Sequence, residues 1–172
     1  GDIFIDLSKA LSILPFEPRD EERELYRFPL GDVPVSIAEL CTAALPGMQR
    51  LCDGIERFHE LLSDAVAGNQ DWEKAFEAED WLLPVGQLQG RALATLNLLQ
   101  DYAQGVEQGH RCARWINRNQ YDVEMVSAPI EPGHILSEVL WQRCYGCVCT
   151  SATLTALGSF QRFLERSGLP PD

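Results

Sequence analysis

Residues 145–154 read Tyr-Gly-Cys-Val-Cys-Thr-Ser-Ala-Thr-Leu, a short apolar run that ends in small hydroxyl side chains. The run predicts a β-strand that presents Thr150, Ser151 and Thr153 at its C-terminal end. Ligands of α/β folds bind outside the carboxyl ends of the strands. An amphipathic helix is predicted directly afterwards, over residues 157–166. The order of strand, hydroxyl cluster and helix indicates a piece of an α/β domain.

Cysteines surround this predicted strand, and two interpretations of them are open. Alternation along a strand places Cys147 and Cys149 on one face and Cys144 on the other. Three thiols on two faces do not converge on one ion without a bulge, so we expect small buried hydrophobes and no metal ligands. The alternative is a metal site that Cys112 or His110 would complete.

The clearest element upstream is a long amphipathic helix. Ser36 and Glu39 fit a capping box, in which each side chain satisfies an amide of the first turn. From there, apolar residues recur at steps of three and four as far as Val66, which defines one buried stripe. We expect Pro46 to kink this helix or to break it briefly.

A second long helix is predicted after an acidic connection. The connection itself predicts a short helix with Trp72 and Phe76 facing inward. The long helix is expected over residues 84–106, with Pro84 in its first turn, where the missing amide costs nothing. Two long helices with facing stripes predict an antiparallel pair.

The sequence then changes to strand character. Residues 112–118 and 121–130 predict a β-hairpin around a polar turn, and residues 133–143 predict a compact helix. Near the N-terminus, a helix over residues 3–14 and one short edge strand at residues 25–28 are expected. The predicted fold class is therefore α+β and mainly helical. The apolar side chains expected to face inward from the compact helix are Ile135, Leu136, Val139 and Leu140.

Charge and composition exclude several classes of protein. The 172 residues carry 26 acidic and 14 basic side chains, a net charge of -12, so the chain lacks the excess of basic residues that autonomous nucleic-acid binders use against phosphates. No apolar run is long enough to cross a bilayer and no signal peptide is visible. Six cysteines without a secretory context predict a cytoplasmic protein. Because helical sequence begins almost at once after Gly1, without an initiating Met, we expect a piece of a longer protein.

The elements of a nucleotide-hydrolysing site are missing. A phosphate loop needs a lysine after glycine, but the lysines, Lys9 and Lys74, follow Ser8 and Glu73. The acidic pair Glu79-Asp80 lies in a helical context and not at a strand end. We therefore expect no ATPase activity from this chain alone.

Several segments together resemble one family. The chain resembles the DinG branch of the XPD-like, iron–sulfur superfamily 2 DNA helicases, over residues 110–169. The segment 150–154 corresponds to motif III of that superfamily. The other matching segments are residues 110–115, 126–129, 136–141 and 159–169.

The resemblance implies an ATP-dependent helicase that translocates 5′ to 3′ on single-stranded DNA in DNA repair or replication. Residues 1–109 would be the arch insertion, which encloses the DNA strand. Residues 110–172 would be the hairpin, strand and helix of the first RecA-like motor domain. Within motif III, Thr150, Ser151 and Thr153 would couple ATP hydrolysis to unwinding without taking part in hydrolysis.

The resemblance also implies partners and cofactors. ATP, Mg²⁺ and a 4Fe-4S cluster belong to the whole helicase and are expected outside this chain. Single-stranded DNA and the rest of the motor would be the partners, with no membrane involved, and Arg111, Arg114 and Arg118 are the candidate phosphate contacts. The alternative function is a non-enzymatic helical protein-interaction module, in which the hydroxyl cluster is only structural.

Overall fold

The computed structural model describes residues 2–20, 22–68, 75–104, 112–151 and 158–169. They divide into two compact units. The first unit comprises Gly1–Gly109 with Arg114–Ser127, and the second comprises His110–Ala113 with Ala128–Asp172. The predicted α+β class is confirmed, because helices dominate and are accompanied by one small sheet.

The first unit holds the long helices and nearly all of the sheet. Its helices are α1 (Ile3–Ser12), α2 (Val35–Val66) and α3 (Ala75–Gln104), and a 3-10 turn covers Pro29–Gly31. Its strands are β1 (Glu17–Pro18), β2 (Glu24–Arg27), β3 (Cys112–Arg118) and β4 (Val123–Pro129). The first two residues of β3 and the last two of β4 fall in the second unit.

Helices α2 and α3 form the predicted antiparallel pair. A Cβ atom at Gly86 would lie 3.5 Å from Nε2 of His59, and Cys41 adjoins Tyr102. Residue numbers therefore rise along one helix as they fall along the other. The buried stripes that face each other are Ile37, Cys41, Ala44, Met48, Cys52, Ile55 and Leu62 on α2, with Val85, Ala92, Leu96, Leu99 and Tyr102 on α3.

The predicted start of the first long helix is wrong by one residue, and its capping box is wrong. Helix α2 begins at Val35, its N-cap is Pro34, and no side chain caps it. The amides of Ile37 and Ala38 donate to the Pro34 carbonyl instead. The helix then continues through Pro46 without a break, because a proline removes one hydrogen bond while the buried stripe on both sides stays packed.

The predicted boundary before the second long helix is also wrong. Helix α3 is already formed at Ala75 and contains Pro84 in its interior. Burial of Ala78 and Val85 on either side of the proline holds both halves against α2. Phe76, expected to face inward, is 72% exposed, and Trp72 lies outside the described residues.

The sheet has the order β1-β2-β3-β4. Strand β2 pairs antiparallel with β1, where Glu17 lies opposite Leu25, and with β3, where Tyr26 lies opposite Ile116. The strand predicted near residues 25–28 is therefore confirmed, but it has a neighbour on each side and is not an edge.

The β3–β4 hairpin, confirmed close to its predicted bounds, is attached to α3. The Tyr102 hydroxyl lies 3.1 Å from the Trp115 carbonyl oxygen and 2.8 Å from that of Val126, so its single proton can be donated to either strand. The Tyr102 ring also packs edge-on against Phe28, with centroids 5.8 Å apart. The structure thus groups Arg114–Ser127 with the long helices, whereas the sequence places a boundary before residue 110.

In the second unit, the end of the last helix contacts the start of the first helix through their backbones. Its elements are α4 (Gly133–Leu136), a π-helical turn (Ser137–Trp141) and α5 (Gln161–Ser167). Gly168 ends α5 in the left-handed region, with φ of 71°, and a Cβ atom there would lie 1.8 Å from the Gly133 carbonyl oxygen. The Trp141 indole donates to the Ser167 carbonyl. Two helix ends therefore meet where only glycine fits.

The apolar side chains of α4 and the π-helical turn are more exposed than predicted. Ile135, Val139 and Leu140 are exposed, and Leu136 is half-buried. The predicted inward face is therefore wrong for the described part of this unit, because no described element of the unit covers it. Among the described residues, no helix is long and apolar enough to span a bilayer.

Candidate functional site

The predicted coupling segment has no regular structure where the chain is described. No strand is assigned between Cys144 and Ser151, so the strand predicted from the apolar run is wrong for those residues. Thr150 and Ser151 are exposed, and Thr153 lies outside the described residues. A strand needs neighbours for its backbone amides and carbonyls, and the described strands pair only with one another, in the order β1-β2-β3-β4.

The cysteines of this segment are not buried hydrophobes, so that prediction is wrong. Cys147 and Cys149 are exposed, Cys144 is half-buried, and the first two thiol sulfurs lie 3.8 Å apart without a disulfide. The hydrogen bond with Cys147 raises the pKa of Cys149 above its usual value. Within the described ranges, no three His, Cys, Asp or Glu side chains gather around a point that could hold a metal ion.

The cysteines of helix α2 do behave as predicted core residues. Cys41 and Cys52 are buried in the stripe that faces α3. Burial disfavours the charged thiolate and raises the pKa of Cys41 to about 11. A thiol in this state is a packing group and a poor nucleophile.

Arg114, one of the three predicted DNA-contacting arginines, is buried, at 4% exposed. Its Nε and Nη2 atoms each lie 2.7 Å from a carboxylate oxygen of Asp101, and its Nη1 atom donates to the Gly31 carbonyl at 2.8 Å. The bidentate pair links β3 to α3, and the hydrogen bond to Gly31 links β3 to the 3-10 turn. The guanidinium therefore has structural partners inside the first unit.

Arg118 lies at the rim of the same unit. Its guanidinium pairs with Glu24 at 2.6 Å, donates to the Ser12 carbonyl, and stacks on the Phe16 ring with Cζ 3.9 Å from the centroid. Arg111 lies outside the described residues. A phosphate contact by any of the three arginines stays a prediction.

Strand alternation explains why the side chains of Arg114 and Arg118 face other residues of the first unit. Residues 114, 116 and 118 share one face of β3, and Ile116 on that face is fully buried. The partners, Asp101 and Glu24, are 13 and 94 residues away in sequence. Nothing local in the sequence identifies such distant partners, so the ion pairs could not be foreseen.

One exposed aromatic group was not identified from the sequence. The turn between β3 and β4 presents Tyr121, which is 88% exposed. Asn119 Oδ1 accepts hydrogen bonds from the amides of Tyr121 and Asp122, at 2.7 and 2.8 Å. The signal available in the sequence is an aromatic residue inside the polar turn of a hairpin.

Two cavities adjoin this turn in the first unit. One, of about 600 Å³, is lined by α1, α3 and the hairpin, with Phe4 and Tyr121 among its aromatic residues. The other, of about 480 Å³, is lined by Asp20, Glu22 and Arg23 together with the turn. The hydrogen bond from the Glu22 amide, and the neighbouring Arg23, hold the pKa of Asp20 below its usual value.

Curated relatives carry one family name. "ATP-dependent DNA helicase DinG" of Photobacterium profundum is 26% identical over 149 residues, 84% of this chain and 21% of the relative. The protein of the same name from Salmonella choleraesuis is 27% identical over 171 residues, 98% of this chain and 23% of the relative. "3'-5' exonuclease DinG" of Bacillus subtilis is 30% identical over 138 residues, 69% of this chain and 14% of the relative.

This chain spans about a fifth of the length of the helicases that it matches. No family model matches it. The similarity to proteins named DinG covers nearly the whole chain and confirms the resemblance found in the sequence.

Proposed function

Because this chain is related to DinG-type DNA helicases, we propose that it is a segment of an ATP-dependent DNA helicase that moves 5′ to 3′ along single-stranded DNA. The segment joins an arch insertion to a part of the first RecA-like motor domain. The parent protein acts in DNA repair or replication in the cytoplasm.

One observation carries this proposal. A relative named ATP-dependent DNA helicase aligns with 98% of the chain, so the similarity includes the helical residues as well as the hydroxyl cluster. The exposure of apolar side chains in the second unit supports it independently. Tyr145, Val148 and Phe160 are exposed there, and the remainder of the motor domain would cover them.

The arch assignment is supported by the form of the first unit. An arch that encloses a strand needs a stiff element that keeps its length, and a closely packed pair of helices supplies one. Helices α2 and α3 have 32 and 30 residues, or roughly 45 Å each at 1.5 Å per residue. In this assignment the arch also includes the hairpin residues Arg114–Ser127, which the contacts of Tyr102 attach to α3.

The coupling role falls to the hydroxyl side chains of residues 150–153. Thr150, Ser151 and Thr153 would exchange hydrogen bonds with the nucleotide-binding part of the motor and with the DNA-binding cleft. Such side chains suit this role because a hydroxyl donates and accepts and can switch partners as the nucleotide changes. None of them supplies a phosphate or Mg²⁺ ligand, so their role is transmission and not hydrolysis.

The cofactors of the proposed helicase do not fit this chain. A 4Fe-4S cluster needs four converging thiolates. Among the described cysteines, however, Cys41 and Cys52 pack in the α2 core, while the exposed pair, Cys147 and Cys149, has no third ligand. Likewise, neither lysine follows a glycine-rich loop. ATP, Mg²⁺ and the cluster are therefore assigned to other parts of the parent.

The partners follow from this assignment. Single-stranded DNA passes the arch, and the second unit packs against the rest of the motor. The alternative, a non-enzymatic interaction module, has no comparable support, because the relatives that align with the chain are named as helicases or as an exonuclease.

The coupling role is tested in the full-length parent with the substitutions Ser151→Ala and Thr153→Ala. We expect ATP hydrolysis within about twofold of normal, but about tenfold less duplex unwound per ATP, the loss expected for one hydrogen bond that forms only in the coupled state. Thr42→Ala, which removes an exposed hydroxyl from α2, is the control and should leave the ratio unchanged. Equal losses of hydrolysis and unwinding would contradict the coupling role.

A further inference from the structure

Hydrogen bonds hold the backbone of the β3–β4 turn around its exposed aromatic residue, Tyr121. Besides the two hydrogen bonds that Asn119 Oδ1 accepts, the Asn119 amide donates to the Asp122 carbonyl at 3.0 Å, and the Val123 amide donates to Asp122 Oδ1 at 2.8 Å. This network closes the turn around Tyr121. An exposed ring on an ordered backbone loses little entropy when a flat ligand stacks on it.

The cavity beside this turn is lined by two exposed aromatic side chains. Phe4 of α1 is 58% exposed and Tyr121 is 88% exposed. Ser8 and Gln120 line the same cavity and add groups that donate and accept hydrogen bonds. Its volume of about 600 Å³ lies within the range of roughly 300–1,000 Å³ that is typical of small-molecule sites. Flat, polar-edged rings are the ligands that such a lining favours.

Charge around the turn argues against a phosphate as the bound group. The arginines among the described residues that line the two cavities are Arg23, paired with Asp20 at 2.9 Å, and Arg118, paired with Glu24 at 2.6 Å. Glu22 and Asp122 are further acidic residues of these linings. With a net charge of -12, the chain gains little from counterion release. Stacking on a base does not depend on charge in this way.

From these observations we propose that the turn at Tyr121, with Phe4 across the same cavity, is a stacking site for unpaired nucleobases. The inference rests on the proposed function, which brings single-stranded DNA to the arch. It assigns the contact to the bases, with the sugar-phosphate chain directed away from the acidic residues. The site accepts any base sequence, because every base has a face that can stack.

Binding of two fluorescent oligonucleotides to the 172-residue chain tests this inference. One probe is a short oligothymidylate and the other has the same length but abasic sugars. We expect the oligothymidylate to bind about tenfold or more tightly, since one base–aromatic stack contributes roughly 1–3 kcal/mol. We also expect its affinity to stay constant or to rise between low and physiological salt. Equal binding of both probes, or no binding of the oligothymidylate at millimolar chain, would overturn the inference.

Substitutions locate the contact. Tyr121→Ala should weaken oligothymidylate binding about tenfold, and Phe4→Ala should weaken it by a similar factor. Tyr121→Phe, which keeps the ring, should bind normally. The control is Phe76→Ala, which removes an exposed ring of α3 and should change nothing. An unchanged affinity in Tyr121→Ala would refute the site, as would a loss of the same size in Phe76→Ala.

The inference and the proposed function fail in different experiments. If Tyr121→Ala binds normally while the full-length parent unwinds DNA with ATP, the stacking site is wrong and the helicase assignment stands. If the parent does not unwind DNA while the Tyr121 variants behave as expected, the site is a single-strand binding surface and the helicase assignment is wrong.

Discussion

At the scale of single residues, Arg114 shows how a candidate DNA contact can be a structural group. Its guanidinium is enclosed by the first unit and paired in a bidentate manner with Asp101, which is itself a quarter exposed. A buried guanidinium whose partner is removed stays charged and cannot recover its lost hydration. The pair therefore fixes β3 on α3.

Asp101→Asn should lower the free energy of unfolding by about 3 kcal/mol, because it leaves the buried charge of Arg114 without its counter-charge. The matched control is Asp6→Asn, which breaks an exposed pair with Lys9 at 3.5 Å and should cost less than about 0.5 kcal/mol. Urea denaturation of the three proteins measures both values. Similar small losses in both variants would show that Arg114 is not held by Asp101.

The sequence predicts only some of the candidate functional residues. Residues 150–153 stand out because small hydroxyl residues follow an apolar run, a local pattern. The ion pairs of Arg114 and Arg118 depend on acidic partners that the fold brings near. Sequence spacing does not indicate these partners. Tyr121 does not stand out, because an exposed aromatic ring in a turn has no periodic signal.

Among the helices and strands, the sequence pattern predicts the elements whose formation depends on local interactions. The two long helices follow from apolar residues at steps of three and four, and the hairpin follows from β-branched and aromatic residues around a polar turn. The errors lie where packing overrides a local preference. Pro84 has the sequence context of a helix start, but burial of Ala78 and Val85 keeps α3 continuous across it. Similarly, the apolar run before Thr150 has strand composition but no described partner strand.

Gly168 gives a test of how the second unit is held together. Gly168→Ala places a methyl group against the Gly133 backbone and strains a residue with φ of 71°. Gly158 has a similar φ of 77°, but a Cβ atom there would have nothing within 4 Å. Gly158→Ala therefore introduces backbone strain without a steric clash. We expect a loss of about 1 kcal/mol for Gly158→Ala and at least twice that for Gly168→Ala.

Hydrogen exchange of the amides in Ala128–Asp172 checks this prediction, since local opening of the second unit raises exchange there before the first unit unfolds. Equal exchange in the two glycine variants would mean that the contact between Gly133 and Gly168 contributes nothing beyond backbone strain.

The two units of the molecule differ in the extent of their hydrophobic cores among the described residues. The first unit has a contiguous core that runs from Leu7 and Leu11 of α1 to Ile116 of β3. The second unit, among its described residues, buries few apolar side chains and exposes Tyr145 and Val148. This contrast agrees with a chain that spans about a fifth of the length of its helicase relatives. In the proposed assignment, the inserted unit folds around its own core and the motor fragment relies on neighbours.

The proposed assignment of this chain to an ATP-driven DNA helicase depends on what the parent protein does. Its most direct test is the unwinding of DNA duplexes with a single-stranded tail by the full-length parent, with the 172-residue chain assayed in parallel. We predict ATP-dependent unwinding of duplexes with a 5′ tail by the parent, and neither unwinding nor ATP turnover by the chain alone. The assignment would be wrong if the parent unwound no duplex in the presence of ATP, or if the purified chain turned over ATP.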